Sequence, residues 1–372
     1  MDFSHTEAQQ DLEQLTRSIA EKLTTNDRLR ELDAAEDRFD DKLWQALADA
    51  GVLAAALPES VGGGGFGILE QCSVLRELGR PLAAVPYLSS IVLAASALAE
   101  FGDDAKRQWA QRAGAGEVVL TVALAEELND NPAKPVTTAV RSGDEWLLTG
   151  TKITVPAAAF ADLILVPATT PEGVAVFLVQ PSDAGVTIDR QRVTDFSAES
   201  IVELAGTKLG ADRVLGSTEN GSEIVDWILA RAAVALSATQ LGTLERALEL
   251  VAEYARERVQ FDRPIGSFQA VAQRLADAFI DVKGVRSTLW QAAWRLSENL
   301  PAEEEVRTAK FWAADAGHRV AHTVIHIHGG VGLDRDHPVH RYFLAAKHNE
   351  FALGSATEQL RRLGQILADV PA

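Results

Sequence analysis

The chain has 372 residues, 35 Lys+Arg against 53 Asp+Glu, and a formal charge of −18 at pH 7. That acidity, with a pI near 4.9, opposes binding to a row of nucleic-acid phosphates or to an anionic membrane, and 47% hydrophobic with 24% charged residues is a globular balance rather than a disordered one. One cysteine, Cys72, excludes a disulfide framework, a thiolate zinc site and a CxxC redox pair. The N-terminus has neither a basic start nor the apolar run of a signal peptide. The longest apolar stretches, such as Val92–Leu98, fall short of a bilayer span, so a soluble cytoplasmic protein is expected.

From Met1 to about Gly116 apolar residues recur at helical spacing, as at Leu12, Leu15, Ile19 and Leu23 and again at Leu43, Leu47 and Val52. Breaks fall at Pro58–Gly67 and around Pro81–Pro86. Residues 1–116 are therefore expected to be a helical domain. From about Glu117 the texture changes to short β-rich runs at Val118–Ala123, Trp146–Leu148, Leu163–Val166, Val174–Val179 and Val186–Ile188. Residues 117–217 are expected to form a small antiparallel β domain. Long helical stretches return at Ile224–Arg258, Phe268–Glu298 and Glu303–His328, with a last one at Ala356–Ala368. Residues 218–372 are expected to form a helical bundle with apolar faces packed together.

Several motifs read as structure. Gly62, Gly64 and Gly67 match GxGxxG, but Leu57-Pro58-Glu59-Ser60 before them is turn chemistry where a dinucleotide fingerprint needs a strand. His318, His322 and His326 share a helix face without HExxH or a carboxylate at ligand spacing, so no metal is assigned. No GxSxG elbow supports hydrolase chemistry. The run Glu303–Glu305 suits a helix start.

Two segments carry more. Residues 254–269, YARERVQFDRPIGSFQ, end one helix, turn at Arg-Pro-Ile-Gly and start another, with an arginine suited to gripping a diphosphate. In His326-Ile327-His328-Gly329-Gly330-Val331-Gly332, adjacent glycines at a helix end let backbone N–H groups approach an anion.

Together these resemble the acyl-CoA dehydrogenase family. The family pattern R-x-x-F-G-x-P-I-x-x-F-Q is similar to Arg258, Phe261, Pro264, Ile265, Phe268 and Gln269. Its Q-x-H-G-G-x-G is similar to residues 326–332, with His326 in the glutamine position. Met1-Asp2-Phe3, Thr6-Glu7, and Leu57-Pro58-Glu59 with Gly62-Gly63 are further signposts. The resemblance covers nearly the whole chain. It implies an α+β fold with an N-terminal helical domain, a middle antiparallel β domain and a C-terminal four-helix-bundle domain. It also implies FAD-dependent α,β-dehydrogenation of an acyl-CoA, in which a glutamate removes the α-proton and the flavin takes hydride. In the family, the neighbouring subunit grips the adenosine-diphosphate end of each FAD. The residues implied in that grip are Arg258, Gln260, Phe261, Ile265, Phe268, Gln269, His326, Gly329 and Gly330.

The departures point further. Leu353 stands where the family places its glutamate, and Ala230, before Arg231, occupies the position that a minority use. Thr154 and Pro156 replace the tryptophan and threonine of the flavin-facing Lys-x-Trp-Ile-Thr stretch, and Ile228 replaces an aspartate near the thioester. The chain is most similar to the base-lacking subunit of actinobacterial α2β2 dehydrogenases of steroid (cholesterol) side chains. That resemblance implies a catalytic homologous partner, an FAD site shared with it, and an electron-transfer flavoprotein as acceptor. Two alternatives remain: a self-sufficient enzyme using Glu350 or Glu358 as base, or a non-enzymatic scaffold.

Overall fold

In a computed structural model that describes residues 6–369, the helices α1 (Glu7–Leu23), α2 (Asn26–Asp33), α3 (Asp41–Asp49), α4 (Val52–Ala55) and α5 (Ile68–Gly79) come first. A π-helical stretch over Tyr87–Ala95 runs into α6 (Ser96–Phe101), and α7 (Asp104–Gly114) follows. Then come strands β1 (Leu120–Val122), β2 (Thr138–Ser142), β3 (Glu145–Pro156), β4 (Leu163–Thr170), β5 (Gly173–Val179), β6 (Val186–Gln191), β7 (Glu199–Gly210) and β8 (Val214–Leu215). Helix α8 (Gly221–Glu257), the two-residue strands β9 (Val259–Gln260) and β10 (Arg263–Pro264), and helices α9 (Gln269–Ser297), α10 (Glu303–His328), α11 (Val339–Phe351) and α12 (Ala356–Asp369) complete the chain. The signpost Met1-Asp2-Phe3 lies outside the described residues.

Two compact units arise, and each gathers distant segments. The first holds residues 29–68 and 84–232. Its sheet runs β6-β7-β3-β2-β4-β5-β8, with β1 beside β4. The ladder is antiparallel except where β1 and β2 each meet β4 in parallel, so the expected all-antiparallel order holds for most pairs only. Period-two alternation turns Trp146, Leu148, Ile164, Val166, Phe177, Val202 and Leu204 into one core. Trp146 and Phe177 meet edge-on at 5.5 Å there.

Strands β2 and β7 have no counterpart among the β runs expected from the sequence, and β3 is far longer than Trp146–Leu148. Their polar and glycine positions hide them. Gly206, at φ 69, is an extra residue in β7 between the pairs Leu148↔Thr207 and Thr149↔Ala205, a bulge that spoils alternation. Within the largely exposed GGGGFG segment two glycines are crowded by backbone: a Cβ on Gly63 would lie 2.0 Å from the Leu57 carbonyl oxygen and one on Gly64 2.7 Å from that of Ala55.

The second unit holds residues 6–28, 69–83 and 233–369. Helices α8 to α12 form its bundle, with α1 and α5 tied on by ion pairs. Arg17 meets the fully buried Glu77 at 2.7 Å, and Arg76 meets Glu245 at 2.8 Å. Helix α8 contains a window apolar enough to cross a membrane, yet 67% of that window is buried, as befits a core helix. Helix α11 was masked by its composition. Its buried face includes Arg341 and Asn349, which are satisfied by Asn26 at 2.9 Å and Gln240 at 2.9 Å.

Candidate cofactor-grip and base-turn sites

Helix α8 ends where the Arg258 N–H donates to the Tyr254 carbonyl at 2.8 Å, and the chain then reverses in the β9–β10 hairpin. Phe261 and Asp262 occupy the turn at φ 54 and 62. A two-residue primed turn requires such values at both central positions and usually takes Asn-Gly, and an ordinary side chain held there costs about 1–2 kcal/mol. Phe261 is 87% exposed at the tip. Beneath it, the Arg263 guanidinium lies 4.2 Å over the Phe268 ring, and Phe261 meets Phe268 edge-on at 6.2 Å. The Ile265 N–H donates back to the Arg258 carbonyl at 2.8 Å. Arg258, Gln260, Phe261, Ile265, Phe268 and Gln269 are thus brought together, and none is buried. A cavity of about 460 Å³ opens beside the arm, lined by Ala252, Ala255, Arg256, Pro264 and Leu275.

The glycine segment adjoins this arm. At the end of α10, Gly329 adopts φ 61 and ψ −136, which only glycine tolerates. A Cβ on Gly329 or Gly330 would meet nothing within 4 Å, so their backbone faces open space and can approach an anion. Buried His328 stacks on Tyr254 of α8 with ring centroids 4.5 Å apart, which sets the glycine turn beside the root of the hairpin. His326 is exposed on the last turn of α10. An exposed arginine, an exposed aromatic ring and open glycine backbone fit the diphosphate and ring of a bound FAD.

At the base position Leu353 has φ 60 and Gly354 φ 95. A buried polar frame clamps this turn. The Gln359 side-chain amide donates to the Leu353 carbonyl at 2.8 Å and to that of Gly354 at 3.3 Å. The Lys310 ammonium donates to the Asn349 and Glu350 carbonyls at 3.1 and 3.2 Å. The Gln240 amide bonds to the carbonyls of Ala313 and Ala346. Burial pulls the Lys310 ammonium down to about 8, against the attraction of Glu350 and Glu358. Glu350 is held by Lys347 at 2.5 Å and lies 3.3 Å from His318, while Glu358 is paired with Arg362. Neither is a free carboxylate.

In the other unit, Ala230 carries no titratable group. The adjacent Arg231 lies 3.5 Å over the Trp227 ring and is pulled down to about 10 by burial, which outweighs Glu100. Ile228 is fully buried. Strand β3 bulges between Lys152 and Val155, where Thr154 takes φ 47. The Thr154 N–H donates to the Gln191 side-chain oxygen at 2.7 Å. Lys152 meets Glu126 at 2.8 Å, and Glu126 also accepts from the Val136 and Thr137 N–H groups. Burial opposes the charge on Glu126, but these hydrogen bonds and Lys152 outweigh it and hold the carboxyl at about 2.

The exposed rings of His318 and His322 lie 4.5 Å apart, tilted by 45°, and His322 meets Phe343 edge-on; His318 Nδ1 also lies 2.9 Å from the Lys347 ammonium. Residue pattern alone does not single out the Tyr254–His328 stack, Gln191 or the Gln240–Asn349–Lys310–Gln359 frame. The signal available for the last was an amide or lysine at apolar spacing inside a helix.

Three family models match in order: "Acyl-CoA dehydrogenase, N-terminal domain" over residues 6–117, "middle domain" over 121–202 and "C-terminal domain" over 219–368. Acyl-CoA dehydrogenase FadE27 of Mycobacterium tuberculosis is 53% identical over 381 residues, covering 100% of both chains. The crystal structure of the ChsE4–ChsE5 complex from Mycobacterium tuberculosis superposes with TM-score 0.96 at 53% identity, covering 100% of both chains. A variant of the Tcur3481–Tcur3483 steroid ACAD superposes with TM-score 0.92 at 40% identity, covering 98% of each.

Proposed function

Because the chain belongs to the acyl-CoA dehydrogenase family, we propose that it is the subunit without a catalytic base in a heteromeric, FAD-dependent acyl-CoA dehydrogenase. In this reading it completes the cofactor site of a homologous, base-bearing subunit in an α2β2 assembly in the cytoplasm. The observation that carries it is Leu353: the turn that should present an acid is built and clamped, yet it presents a leucine at φ 60. A hydrocarbon side chain cannot take a proton, and losing a general base costs about 10²–10⁴-fold in rate.

Bound FAD supplies the hydride acceptor for α,β-dehydrogenation. This chain's own part is to bind and orient. Arg258 would pair with the diphosphate, Gly329 and Gly330 would offer it their N–H groups, and Phe261, Ile265, Phe268, Gln260, Gln269 and His326 would line the same surface. The exposure of Phe261, and of Phe279 and Ile280 at 54% and 63%, suits a partner of like fold. Two further features support a vacant site in this chain: Gln191 satisfies the Thr154 N–H, and Pro156 has no N–H to give. The engagement of Glu350 and Glu358 in ion pairs weighs against a self-sufficient enzyme.

The substrate class proposed is a steroid side-chain CoA thioester, in line with the relative described as a steroid ACAD, and the acceptor is an electron-transfer flavoprotein. The domain bounds 1–116, 117–217 and 218–372 belong to the same reading. Flavin absorbance tests it: no flavin on the chain purified alone, stoichiometric FAD after co-expression with a base-bearing homologue. Stoichiometric FAD on the isolated chain would sink the shared site, and preference of the complex for linear acyl-CoAs would sink the substrate class.

A further inference from the structure

His328, the last residue of α10, is 3% exposed. Its Nδ1 lies 2.8 Å from the Val324 carbonyl oxygen. A carbonyl only accepts, so Nδ1 carries the proton and Nε2 is a bare lone pair. That Nε2 is buried and has no hydrogen-bond partner. One neighbour is Tyr254 of α8, stacked at 4.5 Å and 24°. A second ring beside it is His337, from the loop before α11, at 5.3 Å. His337 accepts the Val339 N–H at 3.3 Å through Nδ1, its carbonyl takes His340 at 2.7 Å, and Asp334 acts on its charge. Among the described residues no carboxylate pairs with His328. Burial holds its imidazole below the usual range; the Val324 carbonyl opposes this and His337 adds to it.

We propose that His328 is a positioning residue: its neutral ring, wedged against Tyr254, holds the Gly329–Gly330 turn in the geometry that faces the diphosphate, and protonation loosens that grip. The inference rests on the shared-site reading and adds to it a dependence on pH. A proton on Nε2 would bury a charged N–H with no acceptor beside a second imidazole. The ring can regain water only by leaving the Tyr254 stack. Gly329 is bonded directly to His328, so the turn moves with it.

The sign sets buried His328 apart from exposed His326. A solvated histidine beside a dianionic diphosphate would tighten binding on protonation, because charge is added where charge is wanted. His328 predicts the reverse.

The test uses the heteromer formed with a base-bearing homologue, reading the FAD dissociation constant by flavin fluorescence from about pH 7.5 to about pH 5.5, the range in which histidines titrate. The wild-type complex is expected to weaken by about tenfold across that range, as a buried histidine is forced to charge. His328→Phe keeps the stack and His328→Asn keeps a donor for Val324; both should hold the change to about twofold, since neither titrates. Because His326, exposed on the same surface, is common to wild type and both variants, acidification that weakens wild type no more than it weakens the variants overturns the proposal. So does a wild-type slope retained in both variants. A heteromer that holds no FAD at any pH overturns the shared site itself, and the positioning role with it.

Discussion

The hairpin arm and the base turn are both strained, but the strain serves different ends. At the arm, two non-glycine residues are held at positive φ and the ring of Phe261 projects into solvent. At the base turn, Leu353 is held at positive φ by hydrogen bonds from a buried amide, and the helix end before it is capped by a buried ammonium. Strain inside a polar frame can persist because the frame over-determines it; the exposed tip has no such frame, and in the proposed reading it serves a contact with a second molecule. The comparison teaches that a residue at positive φ can be held from inside by buried donors or left at a solvent-exposed tip. The frame of Gln240, Asn349, Lys310 and Gln359 sets the turn that carries Leu353, and in the proposed reading that turn once carried the acid.

The largest expected effect separates structure from grip. Glu126→Gln leaves the ammonium of buried Lys152 without its carboxylate, and breaking such a pair costs about 3–5 kcal/mol. Denaturant unfolding should show this loss, and FAD affinity of the folded heteromer should change by no more than about threefold, since the pair lies outside the exposed arm. A selective loss of FAD without lost stability would break the comparison. The wild-type ion pair also has a pH signature. With its carboxyl held at about 2 against an ordinary value near 4.5, Glu126 contributes stability that is complete above pH 4.5 and is lost as pH falls toward 2.

Arg258→Ala comes next. The side chain is exposed, so stability should change by less than about 0.5 kcal/mol. Loss of a charged pair to a diphosphate should weaken FAD binding by about 10–100-fold. Equilibrium dialysis of the heteromer measures it, and an affinity within twofold of wild type would remove Arg258 from the grip.

The arm and the glycine turn were legible in the sequence as elements because they are built from residue types that stand out in a helical chain: Arg-Pro-Ile-Gly after one long helix and paired glycines at the end of another. The frame around Leu353 was not legible. Gln240, Lys310 and Asn349 look like solvent-facing residues until tertiary structure brings a carbonyl or amide to each. For the same reason α11 was overlooked, since its buried face carries Arg341 and Asn349 at positions a hydropathy pattern scores as surface. The strand β7 was hidden by Gly206, whose bulge interrupts alternation where the core residues Val202 and Leu204 had established it.

Lys310 gives a smaller and more specific effect on the base turn. Its ammonium is held at about 8 by burial, below the ordinary lysine value near 10.4. Between those values the unfolded chain binds the proton that the folded chain has released, so stability rises with pH from about 8 toward 10, by about 3 kcal/mol. Below pH 8 both states are charged and the term is constant. Lys310→Met should abolish that rise in a urea titration. A rise that survives the substitution would mean that the frame around the turn is set by other groups.

The smallest effect sharpens the comparison most, because it sets two substitutions with the same backbone consequence against each other. Phe261 and Asp262 share the left-handed region. Glycine at either position relieves about 1–2 kcal/mol of strain, partly offset by the freedom glycine gains in the unfolded chain. Asp262→Gly should therefore stabilise the arm by about 0.5–1 kcal/mol, read by hydrogen exchange at the β9–β10 amides. FAD affinity should stay at the wild-type value, since the turn keeps its shape. Phe261→Gly relieves the same strain but removes the exposed ring and its edge contact with Phe268; affinity for FAD in the heteromer should fall about tenfold, the worth of one aromatic contact of about 1–1.5 kcal/mol. If both variants bind FAD alike, the strained tip is a turn and nothing more. If they part, the strain is what holds Phe261 out toward a second molecule.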